Sequence, residues 1–298
     1  MTKPFHRLAM LRGFTLVEAV VVIVVTGILA AVVAVFISGP VGGYVDATRR
    51  AILSDMADLA LRRMGRDIRS AVPNSVRVNA IGLALEFIPT VDGARYRGER
   101  TDVSGVATGS PLGLSGSSAA DIGTTGATVG FDTYGVNNVL AGAGDYLVIF
   151  NTGQSGTAGC ASGGADAYQG CNRRTVVAAA VNSISYTSTG LGLPFDSPGR
   201  RVDFVPAAGP VSYVCINPGV ASNNGTGRIM RYTGYGWNVA QAVPAAGGTL
   251  LAENISACRF SYSPGVTQTN GLVTLLMTIT RSGEAVTLYH EVHVDNQP

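Results

Sequence analysis

Gly13-Phe14-Thr15-Leu16-Val17-Glu18 joins a short basic leader to an apolar run that continues almost without interruption to Ile37. In a cleaved secretory signal the small-residue site follows the apolar stretch, whereas here the glycine precedes it, on the side of Lys3, Arg7 and Arg12. Processing at this glycine leaves the apolar segment on the mature chain. Glu18 is the second anomaly, because an acidic group inside a membrane helix costs about 2.5–3.5 kcal/mol on insertion scales and marks function by default. Cleavage after Gly13 would create an ammonium on Phe14. That group lies one helical turn from Glu18, and residues four apart share a helix face. Amine and carboxylate then offset each other's desolvation, within one chain or between neighbouring chains.

From Phe14 to Ile37 the run is about 24 residues, or roughly 36 Å of helix, enough to cross a bilayer with some tilt. Positive charge on the leader side keeps the leader cytoplasmic and sends the remainder across the inner membrane, so that it is periplasmic or extracellular. Ser38-Gly39-Pro40-Val41-Gly42-Gly43 follows, and these residues predict a kink or a short melted stretch. Helical period then returns from Tyr44 to about Val72. Leu53, Ala57, Ala60, Met64 and Ile68 recur every three or four residues, while Asp55, Asp58, Arg62, Arg66 and Arg69 fall largely elsewhere. An apolar stripe of this kind packs on a sheet, and Pro73-Asn74 ends the helix.

The composition suits a chain exported from the cytoplasm. Of 298 residues 39 are glycine and 13% are charged, and the sole lysine, Lys3, lies in the leader. Losing Lys3, Arg7 and Arg12 leaves 18 of the 21 basic residues against 19 acidic ones, with no basic stripe to recruit nucleic acid. Four cysteines remain: Cys160, Cys171, Cys215 and Cys258. An even count in an oxidising compartment reads as disulfides. Three connectivities are possible. The favoured one joins Cys160 to Cys171, closing a Gly-rich loop, and Cys215 to Cys258, tying two strand segments. No C-x-x-C pair with a nearby histidine completes a zinc shell.

Beyond Pro73 the period becomes two. Residues 76–79, 84–89, 145–151, 175–181, 201–205, 211–216 and 229–232 read as strands separated by Gly, Pro and Asn turns. Residues 272–280 and 284–294 alternate around Arg281-Ser282-Gly283 as a hairpin. Between 102 and 130 the chain becomes a Gly, Ser, Thr and Ala mixture, which reads as a surface insertion, mobile or draped over the sheet. The fold class expected is α+β: a long N-terminal helix packed on a β-rich globular head. Its divisions are a leader at 1–13, a membrane-spanning helix at 14–37, an amphipathic continuation at 38–72, and the head at 73–298.

Groups for catalysis are scarce. His6 belongs to the leader, and His290-Glu291-Val292-His293 is one residue short of H-E-x-x-H. On a strand, positions 290 and 293 point to opposite faces. No G-x-S-x-G, P-loop or dinucleotide-type glycine spacing occurs. Asp92, Asp102 and Asp121 lack the dense alternating oxygen ligands of an EF-hand. Tyr232, Tyr235 and Trp237 read as either a cover over the core or a contact surface for a sugar or partner. The expectation is a structural, nonenzymatic protein with no cofactor, no metal site and no catalytic residue.

The junction resembles the class III signal of type IV prepilins and of the pseudopilins of type II secretion, with leader, Gly13, Phe14, Glu18 and apolar run in the family order. That resemblance implies cleavage after Gly13 and N-methylation of Phe14 by a prepilin peptidase/N-methyltransferase, and it would make the helix at 14–37 a filament core as well as a membrane span. It also implies pairing of Glu18 with the terminal amine of an adjacent subunit, and partners among major and minor pilins and the inner-membrane assembly platform. The phrases at 250–262, 211–216, 39–46 and 71–78 further resemble minor pilins of the mannose-sensitive haemagglutinin (MSHA) pilus system. A minor pseudopilin of type II secretion and a fibre-tip adhesin are the alternatives.

Overall fold

The structure, a computed structural model, describes residues 13–100, 109–134, 140–156, 160, 163–265 and 270–298. Chain order opens with α1 (Leu16–Arg69), β1 (Arg77–Val78), β2 (Ala84–Phe87), β3 (Asp92–Arg95), the short α2 (Ala119–Ile122) and β4 (Thr128–Asp132). It continues with β5 (Tyr146–Ile149), β6 (Arg173–Ala180), β7 (Ser183–Thr187), β8 (Arg201–Val205), β9 (Val211–Ile216), β10 (Val220–Ala221) and β11 (Asn224–Gly225). Last come β12 (Gly227–Tyr232), β13 (Thr249–Ser263), β14 (Gly271–Arg281) and β15 (Glu284–Val294). A long helix followed by a sheet-dominated globular part is an α+β fold.

Two compact units divide the chain, Met1–Ala51 and Ile52–Pro298. In the first, every described residue from Leu16 belongs to helix. Val and Ile dominate it, residues with modest helix propensity in water. In lipid the balance changes, since only a helix satisfies each backbone group inside its own segment. One expectation needs correcting. Of the kink or short melted stretch expected at 38–43, the melted stretch is not formed, and α1 runs through these residues. Pro40 forfeits one backbone bond, and a proline inside a helix costs about 3 kcal/mol. Long helical segments flank it on both sides and carry the helix across.

In the second unit the last turns of α1 bury Leu53, Ala57, Ala60, Leu61, Met64 and Ile68 against a seven-stranded antiparallel sheet of order β1-β2-β9-β12-β13-β14-β15. Gly65 makes the close approach possible: a Cβ there would lie 3.0 Å from His290 Nε2 and 3.4 Å from Val292. Two residues on, Asp67 Oδ2 accepts from the Tyr213 hydroxyl at 2.7 Å and from Arg231 Nε at 2.9 Å, fixing the helix end to β9 and β12. Arg66 and Arg69 in the final turn suit the negative end of the helix dipole. The helix stops at Arg69, ahead of Val72, because Pro73 disfavours the helical conformation for the residue before it.

Six further strands, in order β3-β8-β5-β6-β7-β4, form a second sheet with its own core around Tyr96, Leu112, Phe131, Leu147 and Phe204. Sequence period does not separate the head into two large sheets, and it misses β3, β4, β7, the short β10–β11 pair and the long β13. In β13 the alternation is interrupted by a register shift between Ile255 and Ala257 and by Asn254 at φ 58°. The insertion expected near 102–130 also needs correcting. Residues 101–108 lie outside the described residues, but Leu112 is fully buried and Asp121 pairs with Arg100 while capping α2 through Ser118. From Ser110 onward this segment remains largely at the surface but is anchored to the second core by Leu112, with Leu114 and Val129 packed against it.

Asp203 on β8 gives the head a pH signature. Burial pushes its carboxyl up to about 6, Arg201 opposing and Asp295 adding to the shift. A carboxyl whose folded pKa is raised contributes stability that is complete below its unfolded pKa and lost as pH rises through about 6. Between pH 4 and 7 the loss is expected to be on the order of 2 kcal/mol. Asp203→Asn should flatten that part of the profile in urea titrations. A variant profile parallel to the wild type would contradict the assignment.

Candidate functional site

Thr15 sets the start of the helix. Its carbonyl accepts the first helical bond from Ala19 N at 3.1 Å, and its hydroxyl accepts from Glu18 N at 3.2 Å. Thr15 is thus the N-cap, and Glu18 stands at N3, the acidic position of a capping box. An acidic group in the first turn also faces the positive end of the helix dipole. This second role of Glu18 was not read from the sequence, although the Thr-x-x-Glu spacing ahead of an apolar run signals it.

Gly13 has open space around it: an added Cβ would meet nothing within 4 Å. The chain's own fold therefore does not require glycine there. Phe14 is 68% exposed and Glu18 is exposed. The most apolar window of α1 has a mean hydropathy of 3.2 and none of it is buried in the chain, so the helix is long and apolar enough to cross a membrane. Thr26, the polar residue within the run, returns its hydroxyl to Val22 O at 2.7 Å and so carries no free donor into lipid.

Other candidate groups are used inside the head. Cys160 is bonded to Cys171, and Cys215 to Cys258, the second pair sitting in the core between β9 and β13. The loops closed span 11 and 43 residues. His290 faces α1 and His293 is exposed on the other face of β15. Among the described residues no group of three or more His, Cys, Asp or Glu converges. Asp92 accepts from Gly93 N and Leu140 N, while Asp121 is engaged by Ser118 and Arg100; Asp102 lies outside the described residues.

The aromatic trio is split between two clusters. Tyr232 and Tyr235 pack with Ala84 and Val214, and the Tyr235 hydroxyl donates to the fully buried Glu86 at 2.7 Å. Arg77 Nε meets the other oxygen of Glu86 at 2.7 Å and its guanidinium stacks over Tyr168 at 3.6 Å. Trp237 packs edge-on to Tyr146 and stacks with Arg173 at 3.6 Å. These rings and charges tie the head together.

Among the described residues, the N-terminal segment combines an open glycine, a capped start, a carboxylate at N3 and an apolar helix window none of which is buried. Residues 11–34 match the prokaryotic N-terminal methylation motif. The motif is the processing signal of type IV pilin-like proteins, and it implies cleavage by a prepilin peptidase and assembly with other pilins. No curated protein and no solved structure matches the chain.

Replacing Glu18 separates its two roles. Glu18→Gln keeps a side chain competent for the capping box, whereas Glu18→Ala removes both cap and charge. If charge is what assembly needs, both variants should insert normally and enter fibres at least about tenfold less, since an unpaired buried ion costs about 3–5 kcal/mol. Quantitative blotting of membrane and sheared-fibre fractions reads this. Wild-type incorporation of the Gln variant would leave capping as the whole role.

Proposed function

We propose that this chain is a minor pilin of an MSHA-type type IV pilus, resembling its O-type subunit (MshO), and that it helps to start or cap the filament. Carrying this reading is the uncovered apolar helix headed by Gly13, Phe14 and Glu18, which match the methylation motif within residues 11–34. Before assembly the helix anchors the protein in the inner membrane with its head in the periplasm. After cleavage behind Gly13 and methylation of Phe14, the helix leaves lipid for a bundle of pilin helices.

The physical logic is registry. Lipid tails are as apolar as the helix, so burial alone gives little preference for one neighbour position over another. An amine and a carboxylate in a low-dielectric core do give that preference, because each is costly unless it meets its opposite. Glu18 and the Phe14 amine of an adjacent subunit therefore select the docked register. The large head, built as two sheets and stapled by disulfides, suits a low-abundance subunit at the tip or priming complex.

The methylation motif is common to pilins and pseudopilins, so a minor pseudopilin of type II secretion is the second reading. A deletion strain scored for sheared surface fibres and for secreted hydrolase activity decides between them. The expected result is loss of fibres with secretion intact. Loss of secretion with normal fibres would overturn the pilus assignment.

A further inference from the structure

We propose that the free edge of β15, together with the cationic trough beside it, is a docking site for an extended acidic segment of a partner protein, received as an additional strand of the sheet. The surface lies wholly within Ile52–Pro298 and is distinct from the helix N-terminus.

β15 is the terminal strand of the seven-stranded sheet, and it pairs with β14 over its whole length, from Arg281↔Glu284 to Gly271↔Val294, without a register shift. Ser282 and Gly283 both have positive φ, 53° and 84°, so the connection is a two-residue type I′ turn. In that turn Arg281 and Glu284 exchange backbone bonds. The alternation of the ladder then turns the N–H and C=O groups of Ala285, Thr287, Tyr289, Glu291 and His293 away from β14. Among the described residues no backbone bond reaches these groups. Proline and bulges are common devices that blunt an open edge, and β15 has neither.

Beside this edge, Asp58, Leu59, Arg62, Arg66, Arg69 and His290 line a trough of about 500 Å³. Arg62 is held by Asp58 at 2.6 Å, but Arg66 and Arg69 are exposed and make no ion pair among the described residues. Leu59 is 68% exposed, and Val286 and Leu288 on the helix-facing side of β15 are only half-buried. An incoming strand turns alternate side chains toward the helix. Those side chains meet apolar surface at Leu59 and Leu288 and uncompensated positive charge at Arg66 and Arg69. Backbone bonds supply affinity and the alternate pockets supply specificity, the division of labour in strand addition. The complementary occupant therefore alternates, with apolar and acidic residues on its inner face. A second copy of β15 matches less well, because its helix-facing side offers His290 along with Glu284.

The test uses the full-length chain in neutral detergent and two labelled peptides of about nine residues, one alternating threonine with glutamate or leucine and one with lysine in place of glutamate. The acidic peptide should bind and slow hydrogen exchange across 284–294. The lysine peptide should bind at least about tenfold more weakly, because like charges meet across the interface. Arg66→Glu combined with Arg69→Glu should reverse that preference. Tyr289→Pro removes an outward donor without a bond to β14, so it should weaken the acidic peptide while leaving the melting temperature within a few degrees. Equal binding of both peptides, binding without protection of β15, no binding at millimolar peptide, or self-association that protects β15 would each overturn the proposal.

Discussion

The first unit forms a helix but leaves its apolar side chains uncovered. From Leu16 onward the membrane-length part of α1 is helical, yet none of its most apolar window is buried among the described residues. Exposed apolar area costs roughly 25 cal/mol per Å² in water, so lipid or other helices are the settings that suit such a helix. In both settings a charge at Glu18 is expensive unless paired. Under the proposed assembly role, that cost makes one neighbour arrangement better than the others.

The head answers a different constraint, which is to hold the last turns of α1 rigidly while keeping two sheets together. Gly65 lets the helix lie close against His290 and Val292, and Asp67 ties its end to Tyr213 and Arg231. Deeper in, Glu86 is fully buried but receives Arg77 and Tyr235, so its charge is matched rather than stranded. A small apolar cluster of Val72, Ile88, Val148, Tyr168 and Val205 lies near this network, with Trp237 packed on it. Cys215–Cys258 closes a longer loop than Cys160–Cys171 and carries the larger share of chain-entropy stabilisation, about 4 against about 3 kcal/mol on the loop-closure model.

Legibility from sequence followed the range of the interactions involved. The junction at Gly13 and Glu18, the stripe Leu53 to Ile68 and the hairpin at Ser282-Gly283 depend on neighbours a few residues away, and each could be read directly. The strand order could not. β2 pairs with β9 and β5 with β8, partners that period two leaves unspecified. β13 hid behind its register shift and the left-handed Asn254, and the anchoring of the Gly-rich segment after Ser110 hid because it depends on one large residue, Leu112, entering the second core. Pro40 misled in the other direction, since the long helical segments on both sides carry α1 across the one backbone bond it forfeits. At the N-terminal segment the charge of Glu18 was visible, while the Thr15 cap that accepts from Glu18 N was not read, although the Thr-x-x-Glu spacing signals it.

The most direct test is the intact mass and N-terminal sequence of the protein extracted from its native membrane. Cleavage behind an open Gly13 predicts a chain beginning at Phe14 and carrying one added methyl group on its amine. A chain that retains residues 1–13, or one that begins after Ile37, would contradict an assembly role for the Phe14 amine and Glu18.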